Sequence, residues 1–238
     1  MNNGKLQPKI SVCIPVHNAE LWLAESIESI ESQTFQDWQI VIVDDYSEDA
    51  SQAIIQHFKE KLGNKLVCTM NSENEGIAFT RNKANALAKG EIIVVQDADD
   101  YSHPQRLEKT WKFFKRHKSV DLVYGSYQTM DVFGKPMTQY DAEPFNKERL
   151  LEHNYIAHPT VAYRSGNIRY RSLCRVLDDW FLYMDYIKAG KKIAHMDDVL
   201  SFYRILPTSV SHSKTKETEE MRAKFLKEAC EYSDSLRH

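Results

Sequence analysis

The chain has 238 residues, of which 42% are hydrophobic and 27% charged, the composition of an ordinary soluble globular protein. Its 31 basic and 34 acidic residues give a formal net charge of −3, which argues against a nucleic-acid surface because such surfaces usually carry a basic excess. Only eight glycines occur, and the nearest two, Gly125 and Gly134, lie nine residues apart. Both glycine-rich phosphate loops, G-x-G-x-x-G and G-x-x-x-x-G-K-[ST], are therefore excluded.

Three features of the sequence predict a cytoplasmic location. No apolar run approaches the roughly 20 residues that span a bilayer, and Met1–Ile10 lacks the apolar segment of a signal peptide. The four cysteines lie far apart and form no C-x-x-C pair. Cysteines used in this way fit a reducing compartment, and a buried free thiol is expected for Cys13.

The first half of the chain alternates strand and helix patterns. Leu23, Ile27 and Ile30 follow the spacing of one buried helix face, for which Asn18 is a candidate N-cap. Further helices are predicted near 50–62 and 77–89. The predicted strands are Ile10–Ile14, Gln39–Val43, Lys65–Met70 and Ile92–Val95. Continuous β-branched runs between helices predict an α/β fold with a mostly parallel central sheet and helices on both faces.

The second half of the chain has a less regular pattern. The predicted helices are Pro104–His117, Asn146–His153, Asp179–Ala189 and Lys216–Tyr232. The predicted strands are Asp121–Tyr124, Tyr127–Val132, Val161–Tyr163 and Leu200–Arg204. In the last helix Met221, Phe225, Leu226 and Ala229 form one stripe, and its acidic residues offset its lysines, which favours packing over membrane-surface contact. No repeat or long linker interrupts the chain, so we predict a single domain over residues 1–238.

Acidic residues follow two of the predicted strands. Asp97-Ala98-Asp99 ends one strand, and these carboxylates can share a divalent cation only if a turn begins there, because alternate residues of a strand face opposite ways. The alternative is that Asp99 or Asp100 only starts a turn or caps the next helix. Asp44-Asp45 ends another strand and could accept hydrogen bonds from a nucleotide, or could serve local capping. Ligands of such sheets bind beyond the carboxyl ends of the strands.

Four motifs together indicate a family. They are Val12-Cys13-Ile14-Pro15-Val16-His17-Asn18, Val41-Ile42-Val43-Asp44-Asp45-Tyr46-Ser47, Arg81-Asn82, and Gly90 followed by the cluster Asp97–Asp100. In this order and spacing the sequence resembles family 2 nucleotide-sugar glycosyltransferases of the GT-A fold. The resemblance implies a nucleotide-sugar-binding half at about 8–103, an acceptor-binding half at about 104–212 with smaller mixed structure, and a C-terminal helix at about 213–238.

The resemblance assigns the nucleotide side of a site. Pro15 and His17 would line the base, and Asp45 would hydrogen-bond it. His17 stands where the family commonly has tyrosine, and Tyr46 stands where glycine is usual. Because of the tyrosine at position 46, the resemblance does not predict the geometry of the loop beside the base.

The phosphate side of the site follows from the same resemblance. Arg81 would approach the nucleotide, Asp97 would bind the ribose, and Asp99 would ligate a divalent cation, Mn²⁺ or Mg²⁺, on the diphosphate. Arg204, within Tyr203-Arg204 ahead of Ser209-Val210-Ser211, could contact the diphosphate or order the loop over the site.

The acceptor side of the site rests on Leu177-Asp178-Asp179-Trp180, which is similar to an acidic family element with Asp178 in place of glutamate. The resemblance makes Asp179 the general base, whereas on its own an aspartate at a helix start is most often a cap. His158 is expected to be a hydrogen-bonded core histidine.

The implied reaction is inverting, metal-dependent transfer of a sugar from a nucleoside-diphosphate sugar, with UDP as the commonest leaving group, to an acceptor hydroxyl. A glycan or lipid-linked glycan acceptor, surface polysaccharide or glycolipid synthesis, and at most peripheral contact with the inner membrane face are expected. Two alternatives are a sugar-1-phosphate nucleotidyltransferase and a catalytically silent protein that binds a nucleotide sugar. The first is disfavoured because residues 15–18 do not form the glycine- and arginine-rich loop that such enzymes usually carry.

Overall fold

Nine strands and seven α-helices are formed by the residues that this computed structural model describes, which are 7–166, 169–172, 176–206 and 216–237. The strands are β1 (Ile10–Val16), β2 (Trp38–Asp44), β3 (Leu66–Met70), β4 (Ile92–Val95), β5 (Tyr101–Ser102), β6 (Leu122–Met130), β7 (Pro136–Tyr140), β8 (Ala162–Arg164) and β9 (Ile193–Arg204). The helices are α1 (Leu23–Glu31), α2 (Ser51–Leu62), α3 (Ile77–Leu87), α4 (Arg106–Arg116), α5 (Lys147–Glu152), α6 (Asp178–Lys188) and α7 (Lys216–Ser235).

The described strands form one sheet in the order β3-β2-β1-β4-β8-β6-β9-β5, with β7 paired to β6. Strands β1 to β4 are mutually parallel, as the continuous apolar runs predicted. Strand β8 runs antiparallel between β4 and β6, and β9 is parallel to β6. The α/β fold with a mostly parallel sheet and a smaller mixed region is thus confirmed.

The sheet separates two apolar cores. Val12 and Ile14 pack in one core with the buried face of α1. Cys13, whose side chain points to the opposite face of the sheet, packs in the second core. Leu23 and Ile27 of α1 are fully buried. Burial of each such side chain stabilises the fold by roughly 1.5–3 kcal/mol.

Two local predictions are corrected by the structure. Helix α1 begins at Leu23, and Asn18 does not cap it, because the Asn18 Oδ1 accepts the Glu48 N–H at 2.9 Å. The two strands predicted between 121 and 132 are one strand, β6, which continues through Gly125. A Cβ at Gly125 would lie 2.5 Å from the Leu200 Cδ1, so glycine allows β9 to pack closely here.

The end of the sheet also differs from the sequence prediction. Strand β9 begins at Ile193 rather than at Leu200, and the short strand β5 and the hairpin strand β7 were not predicted. All five residues of β7 are exposed, so no buried pattern marks it. The predicted tail segment at 209–211 and Cys174 lie outside the described residues.

Helix α7 packs against α5 and α6 through Phe225 and Ala229, which are buried. Leu226, predicted on the same stripe, is 49% exposed. In the part of the chain that is described, no helix is both long enough and apolar enough to cross a membrane.

Candidate active site

The carboxyl ends of β1, β2 and β4 lie side by side. Val16 is opposite Asp44 in the parallel register of β1 and β2. The Asp45 N–H donates to the Val16 carbonyl at 2.7 Å, and the Gln96 N–H donates to the Cys13 carbonyl at 3.1 Å. The end of β1 and the two acidic segments singled out in the sequence therefore share one edge of the sheet.

The buried Asp45 carboxylate organises the loop that leads into α3. Its Oδ1 accepts the Asn71 side-chain amide at 2.7 Å and the Glu75 N–H at 2.9 Å, and its Oδ2 accepts the Gly76 N–H at 2.9 Å. Gly76 has φ +90°, a backbone conformation that favours glycine. Asp45 thus fixes one wall of the site through three donors.

His17 ties the end of β1 to the same loop. Its Nδ1 lies 2.8 Å from the Asp45 carbonyl oxygen, which can only accept, so Nδ1 carries the proton. Its Nε2 then accepts from the side-chain amides of Asn74, at 3.1 Å, and Asn18, at 3.2 Å. The ring is exposed, and these hydrogen bonds hold it in one orientation at the surface of the site.

Tyr46, which stands where the family usually has glycine, has the backbone conformation of a glycine position. Its φ is +61°, so this tyrosine adopts the left-handed conformation that glycine would take most easily. A side chain in that region costs roughly 1–2 kcal/mol. Beside it, the Asp44 Oδ1 accepts the Ser47 N–H at 3.2 Å, which holds the turn after β2.

The acidic segment after β4 forms the turn that cation binding requires. The Asp100 N–H donates to the Asp97 carbonyl at 3.3 Å. The half-buried Asp99 carboxylate accepts no hydrogen bond from another described residue. Burial, and next the neighbouring Asp97 charge, raise the pKa of Asp99 to about 6. A carboxylate that lacks a protein donor beside a second carboxylate fits a divalent cation.

The described residues provide only part of a cation's coordination shell. Among them, no group of three or more histidine, cysteine, aspartate or glutamate side chains is placed to hold a metal ion by itself. A cation on Asp99 would take its other ligands from phosphate oxygens and water, which is usual for Mg²⁺ and Mn²⁺ sites on diphosphates.

Arg81 joins the acidic turn to α6. Its Nη2 donates to the Asp97 Oδ1 at 2.9 Å, and its Nη1 donates to the Asp178 Oδ2 at 2.7 Å. The guanidinium is buried, so these interactions are poorly screened by solvent. Arg81 therefore balances two carboxylates that come from opposite halves of the chain.

Asp179 lies in the first turn of α6, directly after Asp178. Its Oδ2 accepts the Asn154 side-chain amide at 2.8 Å, and its Oδ1 accepts the Trp180 N–H at 2.8 Å. Burial, followed by the Asp178 charge, raises the pKa of Asp179 to about 6. The carboxylate is consequently ionised at neutral pH and can accept a proton.

Arg204 is buried among protein oxygens, with 2% of its surface exposed. Its Nε donates to the Asp99 carbonyl at 2.9 Å, its Nη1 to the Val132 carbonyl at 3.0 Å, and its Nη2 pairs with Glu25. Its backbone N–H donates to the Asp100 Oδ1 at 2.8 Å. Contact of Arg204 with a diphosphate stays a prediction, and these contacts support ordering of the acidic turn.

His158 is a core histidine, as the sequence suggested. Its Nδ1 lies 2.6 Å from the Tyr183 hydroxyl, and its Nε2 lies 3.0 Å from the Tyr170 hydroxyl. Burial, and next the charge of Arg81, hold its pKa well below the usual range. The ring is neutral and structural.

Asn71 and Asn154 were missed by the sequence reasoning, although both hold a predicted site carboxylate. Asn71 directly follows β3, so the strand-end rule that located the acidic residues could have found it. Asn154 lies in an irregular loop and contacts a residue 25 positions away, so no local pattern indicates it.

Comparison with known proteins gives the family. The sequence profile of Glycosyl transferase family 2 matches residues 11–174. The UDP-Glc:alpha-D-GlcNAc-diphosphoundecaprenol beta-1,3-glucosyltransferase WfaP of Escherichia coli is 29% identical over 211 residues, 87% of this chain and 82% of that protein. An uncharacterised glycosyltransferase of Haemophilus influenzae is 29% identical over 212 residues, 88% of this chain and 84% of that protein.

Two solved structures share the fold. The S. aureus TarS 1-349 complex with UDP superposes with a TM-score of 0.69 at 22% identity, over 92% of this chain and 70% of that one. The mannosyltransferase PcManGT of Pyrobaculum calidifontis, in complex with GDP-Man and Mn²⁺, superposes with a TM-score of 0.65 at 17% identity, over 98% of this chain and 74% of that one. The chain belongs to glycosyl transferase family 2 and has the GT-A fold.

Proposed function

We propose that this glycosyltransferase moves a sugar from a nucleoside-diphosphate sugar, with UDP as the leaving group, to an acceptor hydroxyl with inversion at the anomeric carbon. The observation that carries the proposal is the Arg81 bridge, which links the acidic turn at Asp97 to the first turn of α6 at Asp178. A donor-binding carboxylate and a proton acceptor are thereby held in one site.

In the proposed donor complex, the base lies against Pro15 and His17 and hydrogen-bonds Asp45. Asp97 binds the ribose and Asp99 holds a divalent cation, Mn²⁺ or Mg²⁺. The arrangement is supported by the loop that donates to Asp45 and by the Asp99 carboxylate, which accepts no hydrogen bond from another described residue. The UDP named for TarS and the UDP-Glc named for WfaP support UDP as the leaving group.

In the proposed reaction, the acceptor oxygen forms a bond to the anomeric carbon while the bond from that carbon to the diphosphate oxygen breaks. Asp179 takes the proton of the acceptor hydroxyl, a contribution of roughly 10²–10⁴ in rate. A divalent cation held by Asp99 would supply Lewis-acid stabilisation of charge on the leaving group. Arg81 keeps Asp178 ion-paired beside the base, and Arg204 orders the Asp99–Asp100 turn.

The proposed acceptor is a glycan or a lipid-linked glycan in surface polysaccharide or glycolipid synthesis. The diphosphoundecaprenol in the name of WfaP supports a lipid-linked acceptor. Such an acceptor would require peripheral contact of the enzyme with a membrane surface, from a cytoplasmic location.

The experiment that tests the donor is a thermal-shift screen of UDP-, GDP- and dTDP-sugars, each with and without Mn²⁺, followed by an assay of slow hydrolysis. We expect a UDP-sugar to stabilise the protein in the presence of Mn²⁺ and to be hydrolysed. Stabilisation without hydrolysis or transfer would indicate a silent binding protein. Release of pyrophosphate from UTP and a sugar 1-phosphate would indicate a nucleotidyltransferase.

A further inference from the structure

Asn154 contacts Asp179 from a different segment of the chain. It lies between α5 and β8 and is half-buried, and its Nδ2 donates to the Asp179 Oδ2 at 2.8 Å. Its own Oδ1 accepts the Ile156 N–H at 3.2 Å. A backbone N–H can only donate, and an ionised carboxylate can only accept. The Asn154 amide therefore has a single orientation that satisfies both contacts, with its oxygen toward Ile156 and its nitrogen toward Asp179.

The two donors on Asp179 reach different oxygens. The Trp180 N–H occupies Oδ1 and the Asn154 amide occupies Oδ2, so rotation of the carboxylate would break both hydrogen bonds. Each oxygen keeps further lone-pair capacity, which leaves Asp179 able to accept the proton of a third group. The carboxylate therefore has a fixed orientation and can still accept a proton.

We propose that Asn154 is a positioning residue that aims the Asp179 carboxylate at the acceptor hydroxyl and stabilises its ionised form. This inference rests on the proposed function, in which Asp179 is the base. Asn154 itself touches neither donor nor acceptor in the proposal.

The charged and titratable groups around Asp179 set the direction of the expected effect. Asp178 and Tyr183 come from α6, and Arg81 comes from α3. The Asn154 segment contributes a neutral amide that hydrogen-bonds the charged form of Asp179 and so lowers its pKa. Loss of this donor should raise the pKa of Asp179.

The test compares the pH dependence of kcat/KM for UDP-sugar hydrolysis in the wild type, Asn154→Ala and Asn154→Asp. We expect the acid limb of the alanine variant to move to higher pH by about one unit, since a hydrogen bond to a charged group has that magnitude. The aspartate variant has nearly the same shape but adds a like charge, so its limb should move further. It also serves if the alanine variant fails to fold.

Asn146→Ala is the matched control. Asn146 lies eight positions earlier and caps α5 by accepting the Arg149 N–H at 3.0 Å, and its side chain makes no hydrogen bond to Asp179. Its acid limb should coincide with that of the wild type. A limb that moves equally in the control, or that does not move in either Asn154 variant, would overturn the positioning role.

A second readout is independent of turnover. The Asp179 carboxyl carbon can be titrated by ¹³C NMR, with the signal assigned from Asp179→Asn. An unchanged Asp179 titration in Asn154→Ala would overturn the inference whatever the activity. If that titration moves but Asp179→Asn retains full hydrolysis, the proposed function of Asp179 fails while the Asn154 contact stands.

Discussion

The Arg81 Nη1 lies 2.7 Å from the Asp178 Oδ2, and this buried ion pair joins residues 97 positions apart in the sequence. The same guanidinium reaches Asp97 through Nη2. Arg81 thus connects the half of the chain that carries the acidic turn to the helix that carries Asp179. Removal of this one side chain would leave both carboxylates, Asp97 and Asp178, without their ion-pair partner.

Replacement of Arg81 by alanine should lower the free energy of unfolding by about 3–5 kcal/mol, because it leaves buried charges unpaired. Urea denaturation at neutral pH measures the change. The control is Arg149→Ala, whose partner Glu143 is 54% exposed, and which should cost at most about 1 kcal/mol. If both variants lost the same free energy of unfolding, the Arg81 ion pairs would contribute no more to stability than an exposed pair does.

Replacement of Arg204 by alanine should reduce both stability, by about 2–5 kcal/mol as for other large buried side chains, and Mn²⁺-dependent donor binding. The reason is that its guanidinium holds the Asp99 carbonyl from inside the protein. Denaturation and calorimetric titration with UDP measure the two effects. Glu25→Gln, which leaves the carbonyl contacts of Arg204 in place, should change stability by less than about 1 kcal/mol.

The Arg204 result separates the two roles considered for this residue. Weaker UDP binding without loss of stability would favour direct contact with the diphosphate. Loss of both would support ordering of the turn.

Replacement of His17 by alanine should weaken UDP binding roughly tenfold, since it removes the hydrogen bonds that tie the Asn74 loop to the end of β1. His17→Tyr introduces the residue common in the family and should weaken binding less. His57→Ala, a change at an exposed histidine of α2, is the control and should leave the affinity unchanged. Equal affinities for all three variants would exclude His17 from the base side of the site.

Asp99 should make the protein less stable as the pH rises. Its pKa is about 6 in the folded protein against 3.8 ordinarily, so the folded state holds the proton more tightly than the unfolded state. The free energy of unfolding therefore falls as the pH increases from about 4 through about 6. Asp99→Asn removes this cost and should stabilise the protein at neutral pH by about 1–2 kcal/mol, after allowance for partial exposure.

The same variant should lose stabilisation by Mn²⁺ with UDP. Melting temperatures at acidic and neutral pH, each with and without Mn²⁺ and UDP, test both statements together. If the variant were destabilised equally at both pH values, ionisation of Asp99 would not lower the free energy of unfolding. Full stabilisation by Mn²⁺ and UDP would remove Asp99 from the proposed cation site.

The parallel half of the fold could be predicted because β1, β2 and β4 are buried on both faces and read as continuous apolar runs. Strand β7 could not, because all five of its residues are exposed and only its pairing with β6 defines it. The early part of β9 carries His195, Asp197 and Asp198, which have low strand propensity, and the last two lie at an irregularity where the register with β6 shifts.

The candidate site divides in the same way. Asp45, Asp97 and Asp99 could be located because the ends of parallel strands meet at one edge of the sheet. The contacts of Arg81 with Asp178 and of Asn154 with Asp179 depend on how α3, α6 and a loop pack together. Such contacts span 97 and 25 residues and leave no periodic trace in the sequence.

The most direct test of the central claim is a comparison of donor affinity and donor hydrolysis in Asp179→Asn. Asp185→Asn is the control, since Asp185 lies on the same helix but pairs with Arg171. The expected result is an unchanged dissociation constant for the UDP-sugar and a hydrolysis rate lower by roughly 10²–10⁴ in Asp179→Asn alone. Hydrolysis by Asp179→Asn at the wild-type rate would contradict the assignment of Asp179 as the general base.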